Sequence, residues 1–480
     1  MSKLSNSYSN HFYLYIIKFK LRLIYSEDKL KLKKNMRTMK LHFSIFFMLI
    51  IATTAFSQNK EEEFKPSYSV GATVFSGWVY NLNDAQFISK LDTAAGPSSS
   101  APFGYAPTAN QFEVTKNSFY LDRAYINVRA FLTPQINARV TPDIFSFTDG
   151  TGATQYAYQI KFAYVEYTPL TADNGASLGF TLGVNSNQWV TNFEKYYQYR
   201  FVQKTLTDFA WVTSATVSGN TVTNTTSTYF PTADLGLTAK FTFPHKYADL
   251  YLAVVNGNGF RNLSLDNRFK DVQITGYVYP LAGKISKEME MLKKKGKTRL
   301  NGLNELVFGG VAYLGKLNNG ENYSGAQYKR NRFGGMFAGK YNFNKSGFIR
   351  IGGEYSTQAN QNPTPGAPYT ALKTDARGIS VFMEFCPPSE QLGEKVTMLL
   401  RYDAFDPNTS DNASAGTSGF NSNDDAQSLF IAGVFYRPAL AFGFGLSYQL
   451  TTFQNDFGVK YDGTPTEDLE RLYLNTVLNF

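Results

Sequence analysis

Charged side chains in this chain recur at alternate positions of predicted β-strands. Arg123, Arg129, Arg139 and Asp143 occupy such positions within 118–145, and the even-numbered positions from 124 to 144 are apolar. Because successive side chains of a strand point to opposite faces, each of these strands has one charged face and one apolar face. Fixed charge on a wet face attracts or repels ions and polar solutes without forming covalent bonds. The spacing therefore predicts electrostatic selection of solutes rather than catalysis.

Further basic residues extend this set along the chain. Charge in a wide aqueous lumen acts through water and has a modest effect, whereas charge at a constriction has a larger one. Acidic residues at equivalent positions, such as Glu354 and Asp403, leave the sign of the preference open. Each charge either lines a passage or pairs across strands and stiffens the wall. The additional candidates are Lys340, Arg350 and Arg401 on predicted strands, and Lys195, Arg200 and Lys204 in the connection 188–231.

The residues that hydrolytic chemistry requires are scarce. A hydrolase needs a nucleophile, a base and an orienting group close together. Beyond residue 57 the chain has one histidine, His245, which lies beside Pro244 in a predicted turn, and one cysteine, Cys386. A single cysteine excludes an intramolecular disulfide. We therefore expect no enzyme activity and no metal or cofactor site.

Alternation with a period of two residues continues through most of the chain. A large soluble sandwich or a β-helix also alternates, but here the polar face carries many Gly, Arg, Lys and Asp residues. Aromatic residues collect at the turn ends, which is typical of the interfacial girdles of membrane barrels; they are Tyr279, Tyr341, Phe343, Phe435, Tyr436 and Phe480. The sixteen predicted strands are 67–82, 118–132, 135–145, 156–168, 177–187, 232–243, 247–256, 270–280, 303–316, 330–343, 346–356, 378–386, 394–406, 427–437, 440–452 and 470–480.

These observations predict an all-β fold, a transmembrane antiparallel β-barrel of about 16 strands with short periplasmic turns and long extracellular loops. An even number of strands places both ends of the barrel on the periplasmic side. The charged link 281–302 lies on the short-turn side, and it indicates either a small periplasmic helix or an error in the strand count. The predicted long loops are 83–117, 188–231, 357–377 and 407–426.

Residues 36–57 have the organisation of a signal peptide. A basic start is followed by the apolar run 41–56, which is too short for an uninterrupted membrane span. Small residues at Ala55 and Ser57 predict cleavage before Gln58. Residues 1–35 do not fit such a start. We interpret them as an upstream extension that results from too early an assigned translation start, so that 58–480 forms the barrel.

The net charge of +9 depends on this leader. Residues 1–40 hold 10 of the 47 basic and 2 of the 38 acidic residues, and 41–57 hold none, so cleavage leaves 37 basic and 36 acidic residues, a net charge of +1. A nearly neutral chain lacks the basic surface that nucleic-acid binding requires. No nucleic-acid partner is therefore expected.

The chain ends on an alternating segment, 470–480, whose last residue is the aromatic Phe480. Together with the signal peptide, this ending resembles the last strand of bacterial outer-membrane β-barrels, whose terminal aromatic residue is read by the barrel assembly machinery. We therefore predict the outer membrane of a Gram-negative bacterium as the location, with outer-membrane lipid and lipopolysaccharide as the surroundings.

Four short segments carry a resemblance to a known family. They are 117–125 (NSFYLDRAY), 183–189 (GVNSNQW), 254–259 (VVNGNG) and 401–407 (RYDAFDP), and they resemble the phosphate-selective porin O and P family. The resemblance implies a sixteen-stranded porin that assembles as a homotrimer and whose third long loop folds into the lumen. Here that loop is 188–231, which we predict to form the constriction.

Two functions remain open at this point. The first is a passive diffusion channel for small hydrophilic solutes, with a possible preference for anions or phosphate; the mixed signs of the predicted lumen charges argue against strict phosphate selectivity. The alternative is a surface-binding or adhesion barrel that transports nothing. Single-channel conductance distinguishes the two.

Overall fold

Sixteen antiparallel strands form a closed barrel in the computed structural model, counted over the residues that it describes. This confirms the predicted fold class. The described residues are 64–87, 116–148, 154–209, 211–218, 221–227, 229–261, 270–294, 299–318, 327–344, 346–364, 367–406, 409, 426–439, 441–454, 458–460, 465–466 and 468–480. The predicted signal peptide and the upstream extension lie outside them.

The barrel strands are numbered here in chain order. They are β1 Ser67–Asn81, β2 Asn117–Phe131, β3 Ile136–Thr148, β4 Thr154–Thr171, β5 Ser177–Ser186, β6 Ala233–Thr242, β7 Ala248–Val255, β8 Asp271–Val278, β9 Gly302–Asn318, β10 Gln327–Asn342, β11 Phe348–Thr364, β12 Ala367–Cys386, β13 Val396–Asp406, β14 Gln427–Ala439, β15 Phe442–Phe453 and β16 Asp468–Asn479. A small three-stranded sheet (Ala85–Phe87, Gly458–Lys460, Pro465–Thr466) and a hairpin (Trp211–Ser218, Thr221–Ser227) lie outside the barrel sheet.

The first and last strands close the ring. β1 pairs with β16 from Thr73 opposite Asn479 to Asn81 opposite Arg471. Phe480 extends the ladder by one step, because its N–H donates to the carbonyl of Ala72 at 3.0 Å. Closure gives every strand two neighbours, so that backbone groups are satisfied within the sheet.

Turns at one end of the barrel are short and connections at the other end are mostly long, as predicted. Between β2 and β3, for example, Thr133 Oγ1 accepts a hydrogen bond from the N–H of Ile136 at 2.9 Å. The charged link 281–302 contains a helix, Ala282–Lys294, so the helical alternative for this link is correct and the strand count stands.

The prediction of a long loop at 357–377 was wrong. β11 continues to Thr364 and β12 begins at Ala367, so that only residues 365–366 connect them. This sequence does not alternate between apolar and polar residues. Two antiparallel strands can still satisfy each other's backbone groups where neither face contacts lipid, and alternation is therefore a poor guide to where these strands end.

The outer face is apolar and exposed, whereas the inner face is polar or packed. Tyr436 and Phe444 meet edge to face on the outside at 5.8 Å between ring centroids. Phe435, which was predicted for the outer aromatic girdle, instead points inward and is buried. Adjacent strand residues face opposite sides, so Phe435 and Tyr436 cannot both belong to the girdle. The main buried cluster of the described residues joins these inward side chains to residues of 188–231.

No helix in the described part of the chain has both the length and the apolar character needed to cross a membrane.

Candidate functional site

Residues 188–209, here called the inner segment, lie inside the barrel. Phe201 contacts the ring of Phe75 on β1 at 6.4 Å, and the Tyr277 hydroxyl on β8 donates to the carbonyl of Gln188 at 3.0 Å. β1 and β8 lie on opposite sides of a sixteen-strand ring. A single short segment that contacts both must run through the lumen.

A short helix begins the inner segment directly at the end of β5. α1 spans Gln188–Tyr197, and the Asn187 side chain caps its first turn by accepting from the N–H of Trp189 at 3.0 Å. Asparagine is a favoured residue at this position because its oxygen satisfies an otherwise unpaired N–H. The helix ends at Gln198, which adopts the left-handed conformation (φ 58°) and turns the chain across the lumen.

Aromatic side chains anchor the inner segment to one side of the wall. Tyr197 meets Phe382 of β12 at 5.3 Å and Tyr199 meets Phe435 of β14 at 5.0 Å between ring centroids. Trp189 is fully buried. Burying a large apolar side chain contributes roughly 1.5–3 kcal/mol, so this row of rings stabilises the inward conformation.

Two wall carboxylates accept hydrogen bonds from the inner segment. Glu354 on β11 accepts from Trp189 Nε1 at 3.2 Å and from Thr207 Oγ1 at 3.0 Å. Glu384 on β12 accepts from the Tyr199 hydroxyl at 2.7 Å. Both glutamates are buried. They fix the helix and the end of the segment to the same stretch of wall.

The neighbouring strands β15 and β16 bind the backbone of the segment. The carbonyl of Phe201 accepts from Asn475 Nδ2 on β16 at 3.2 Å, and the carbonyl of Val202 accepts from Gln449 Nε2 on β15 at 3.3 Å. Together with the contacts of Gln188 on β8 and of Phe201 on β1, these bonds hold the segment along its path through the lumen.

The three predicted basic residues of the segment have different environments. Lys195 is exposed and donates to Asn192 Oδ1 at 2.5 Å. Arg200 pairs with Glu194 and, at 2.7 Å, with Asp208. Lys204 is half-buried. Burial lowers the pKa of Lys204 to about 8, although Asp208 acts in the opposite direction. Lys204 is therefore the segment's cation nearest to neutralisation at physiological pH.

Three predicted wall arginines are buried in ion pairs. Arg123 lies 3.6 Å from Asp143, and Arg350 lies 2.5 Å from Glu384. Arg401 binds both oxygens of Asp403, at 2.9 and 2.6 Å. Because these charges are matched locally, they contribute little net charge to a passing solute.

The other predicted wall cations have no carboxylate within ion-pair distance among the described residues. Arg139 Nη2 donates to Asn127 Oδ1 at 2.6 Å. Lys340 lies over the ring of Phe348 at 4.0 Å. Arg129 is exposed on β2. These three, with Lys195 and Lys204, are the predicted site residues whose charge remains uncompensated.

Sequence reasoning did not single out Glu384 or the Lys161–Tyr125 contact. Lys161 Nζ donates to the Tyr125 hydroxyl at 2.9 Å. The sequence does indicate that Glu384 faces the lumen, because its neighbours Met383 and Phe385 are apolar and face outward on the same strand. The identity of its partners, however, cannot be read from that pattern.

Comparisons with known proteins gave matches only at the level of structure. No family model matches the chain, and no curated protein matches it. Among the similar solved structures are the outer membrane channel DcaP of Acinetobacter baumannii (10% identity, 88% of this chain, 99% of that chain, TM-score 0.48) and an anion-selective porin from Comamonas acidovorans (9% identity, 87% of this chain, 100% of that chain, TM-score 0.48). OprB of Pseudomonas putida is also similar (9% identity, 86% of this chain, 94% of that chain, TM-score 0.46). Sequence identities and TM-scores as low as these add nothing to the strand order and register described above.

Proposed function

We propose that this protein is a porin, an outer-membrane channel through which small hydrophilic solutes diffuse passively. One observation carries the proposal, namely the inner segment that runs through the lumen of a closed barrel, with Gln188 bonded to β8 on one side and Phe201 packed on β1 at the other. A barrel that only presented extracellular loops would not require a segment fixed inside it. We take residues 188–209 as the constriction.

We extend the proposal to location and assembly. The protein resides in the outer membrane of a Gram-negative bacterium, among lipid and lipopolysaccharide, as a homotrimer. The barrel assembly machinery reads Phe480, whose side chain is 74% exposed at the seam where the ring closes. A residue that the assembly machinery recognises must be accessible, and Phe480 is exposed.

We further propose that the channel prefers anions. The proposal is supported by the sign of the predicted lumen charges that have no ion-pair partner. Arg123, Arg350 and Arg401 are neutralised by carboxylates. The uncompensated residues of the predicted set are all basic; they are Arg129, Arg139, Lys195, Lys204 and Lys340. A preference for phosphate over other anions belongs to the same proposal and rests on the sequence resemblance.

Recording single channels in a planar bilayer tests the function. Purified protein should give steady conductance steps, and in a potassium chloride gradient the reversal potential should have the sign of anion preference. Replacing chloride with phosphate on one side then compares the two anions. Folded protein that gives no steps would favour the surface-binding alternative.

Replacing basic residues of the segment tests the constriction. Glu at both Lys195 and Lys204 should move the reversal potential toward cations. Arg200 is unsuitable for the first test because it pairs with two carboxylates, so its replacement disturbs packing as well as charge. Unchanged selectivity in the Lys195→Glu, Lys204→Glu variant would place the segment away from the ion path.

A further inference from the structure

Arg332, on the lumen face of β10, is a buried cation without a hydrogen-bonded partner. Its residue is 5% exposed, and its Nε and Nη1 atoms donate to no group. Its guanidinium carbon lies 5.0 Å from the ring centroid of Tyr313 and 5.6 Å from that of Phe230. Aromatic faces attract a cation but do not accept its in-plane N–H groups. Those donors therefore need an acceptor.

The carboxylate of this neighbourhood is already saturated. Asp271 Oδ2 accepts from the Tyr313 hydroxyl at 2.5 Å and from Arg330 Nη2 at 3.0 Å, and its Oδ1 accepts from the N–H of Lys316 at 3.1 Å. Two guanidinium groups thus face one carboxylate. One positive charge is left over, and it belongs to the buried group, Arg332.

Two buried hydroxyls lie near this charge. Ser356 on β11 and Tyr229 are both no more than 1% exposed. Ser356 pairs with Gly334, two positions from Arg332 on the same face. Tyr229 interacts with the Ser356 hydroxyl and with the charge of Arg332. A hydroxyl carries no negative charge, so neither group balances the Arg332 guanidinium.

We propose that this cluster, Arg332, Ser356 and Tyr229, binds one chloride ion. Arginine does not lose its proton in proteins, and an uncompensated buried charge costs several kcal/mol. A monovalent anion cancels the single excess charge and accepts from the Arg332 N–H groups that have no partner. Phosphate would add oxygens, and at neutral pH part of a second charge, that nothing here compensates. The residues of the site are buried, so the ion is resident rather than in transit.

Chloride-dependent unfolding tests the site without reference to transport. A ligand that binds only the folded protein raises stability with the logarithm of its concentration. The unfolding temperature of the detergent-solubilised barrel, followed by circular dichroism, should rise as chloride replaces gluconate at constant ionic strength. Gluconate is too large for a buried site. A wild-type response that is the same in both salts would overturn the proposal.

Arg332→Met is the informative variant, since it keeps apolar bulk and removes the charge. In chloride it should unfold at a lower temperature than the wild type, whereas in gluconate it should be at least as stable. If Arg332 merely packed between rings, the variant would lose stability equally in both salts. Arg377→Met is the control; its side chain is 65% exposed, and the chloride response should remain.

A bromide soak gives a direct measurement that does not depend on the variant folding. Crystals of the wild-type protein soaked in sodium bromide should show one anomalous peak within hydrogen-bonding distance of Arg332 Nε or Nη1. Its absence at full bromide exchange would refute the site, and so would a protein or water oxygen in that position.

Discussion

Buried carboxylates determine where the inner segment lies. Glu354 accepts from both ends of it, since Trp189 belongs to α1 and Thr207 to the return toward the wall. Glu384 accepts from Tyr199 while neutralising Arg350. The Glu384 carboxylate is ion-paired with Arg350, and a charged acceptor strengthens the hydrogen bond from Tyr199. The wall arginines thus act through the carboxylates that they orient, more than by facing the solute.

Glu354→Ala should loosen the segment. The Trp189 Nε1 and Thr207 groups would lose their acceptor, and leaving a buried donor unpaired costs about 1–3 kcal/mol per group. We expect single-channel recordings with frequent transitions to a larger conductance. Glu166→Ala is the control, because this half-buried β4 carboxylate has no described contact with the segment. If the Glu354→Ala variant showed no more transitions to a larger conductance than the wild type, the segment would be held by packing alone.

Lys204 should make ion selectivity depend on pH. With a pKa of about 8, its side chain is about nine-tenths protonated at pH 7 and about one-tenth at pH 9. Anion preference, measured as reversal potential, should therefore weaken over this interval. The charged groups that act on Lys204 are Asp122, Arg123, Arg200 and Asp208.

Two variants separate this effect from general loss of charge. Lys204→Gln should show weaker anion preference at pH 7 and a flatter pH profile. Arg139→Gln removes one lumen charge that does not titrate here, so its profile should keep the wild-type slope. Parallel profiles for wild type and Lys204→Gln would rule out Lys204 as the titrating group.

At the scale of elements, the inner segment is a capped helix followed by an aromatic strip, and it is stable only against the wall. The helix has ten residues, which is too short to persist alone in water. Its rings bury against β12 and β14, and its carbonyls bind β15 and β16. The segment therefore behaves as part of the core of the barrel.

Deleting residues 194–208 tests the segment as an obstruction. The deletion removes the part that crosses from α1 to the wall, so we expect a higher single-channel conductance and weaker selectivity. A deletion within Thr221–Ser227, the second strand of the hairpin outside the barrel sheet, provides a control of similar kind and should leave both unchanged. A deletion of 194–208 that folds but conducts as before would mean that the segment does not limit flow.

At the scale of the whole molecule, stability depends on one seam. β1 and β16 are the ends of the chain's barrel region, and each would be an open edge without the other. Every other pair of neighbouring strands in the described barrel sheet consists of consecutive barrel strands. The final step of assembly must therefore join the residues that are most distant along the chain.

Phe480→Ala should reduce assembly without changing the closed barrel. The Phe480 backbone hydrogen bonds to Ala72 remain available to alanine, whereas the exposed ring is lost. We expect less protein in isolated outer membranes, but normal heat-modifiable mobility for the fraction that folds. Phe442→Ala, on the outer face of the adjoining strand, is the control. Equal yields for Phe480→Ala and the parent would show that the ring carries no assembly signal.

The sequence by itself determined the number and order of the strands, because the period of two is a local property that each strand carries independently. It also indicated that residues 188–231 are unusual, since an aromatic and charged stretch precedes a Thr- and Ser-rich one. The strand ends near 357–377 escaped prediction because the sequence there does not alternate between apolar and polar residues, although the two strands continue to pair.

Only the tertiary structure decided which charges are free. Arg401 and Asp403 are neighbours on one strand, but Glu384 meets Tyr199 across 185 residues. Such pairs depend on strand register and on the path of the inner segment, and neither is encoded in a local pattern. For the same reason Arg123 and Arg139, alike in sequence, differ in the folded protein. The first lies buried beside Asp143, and the second bonds only neutral oxygens.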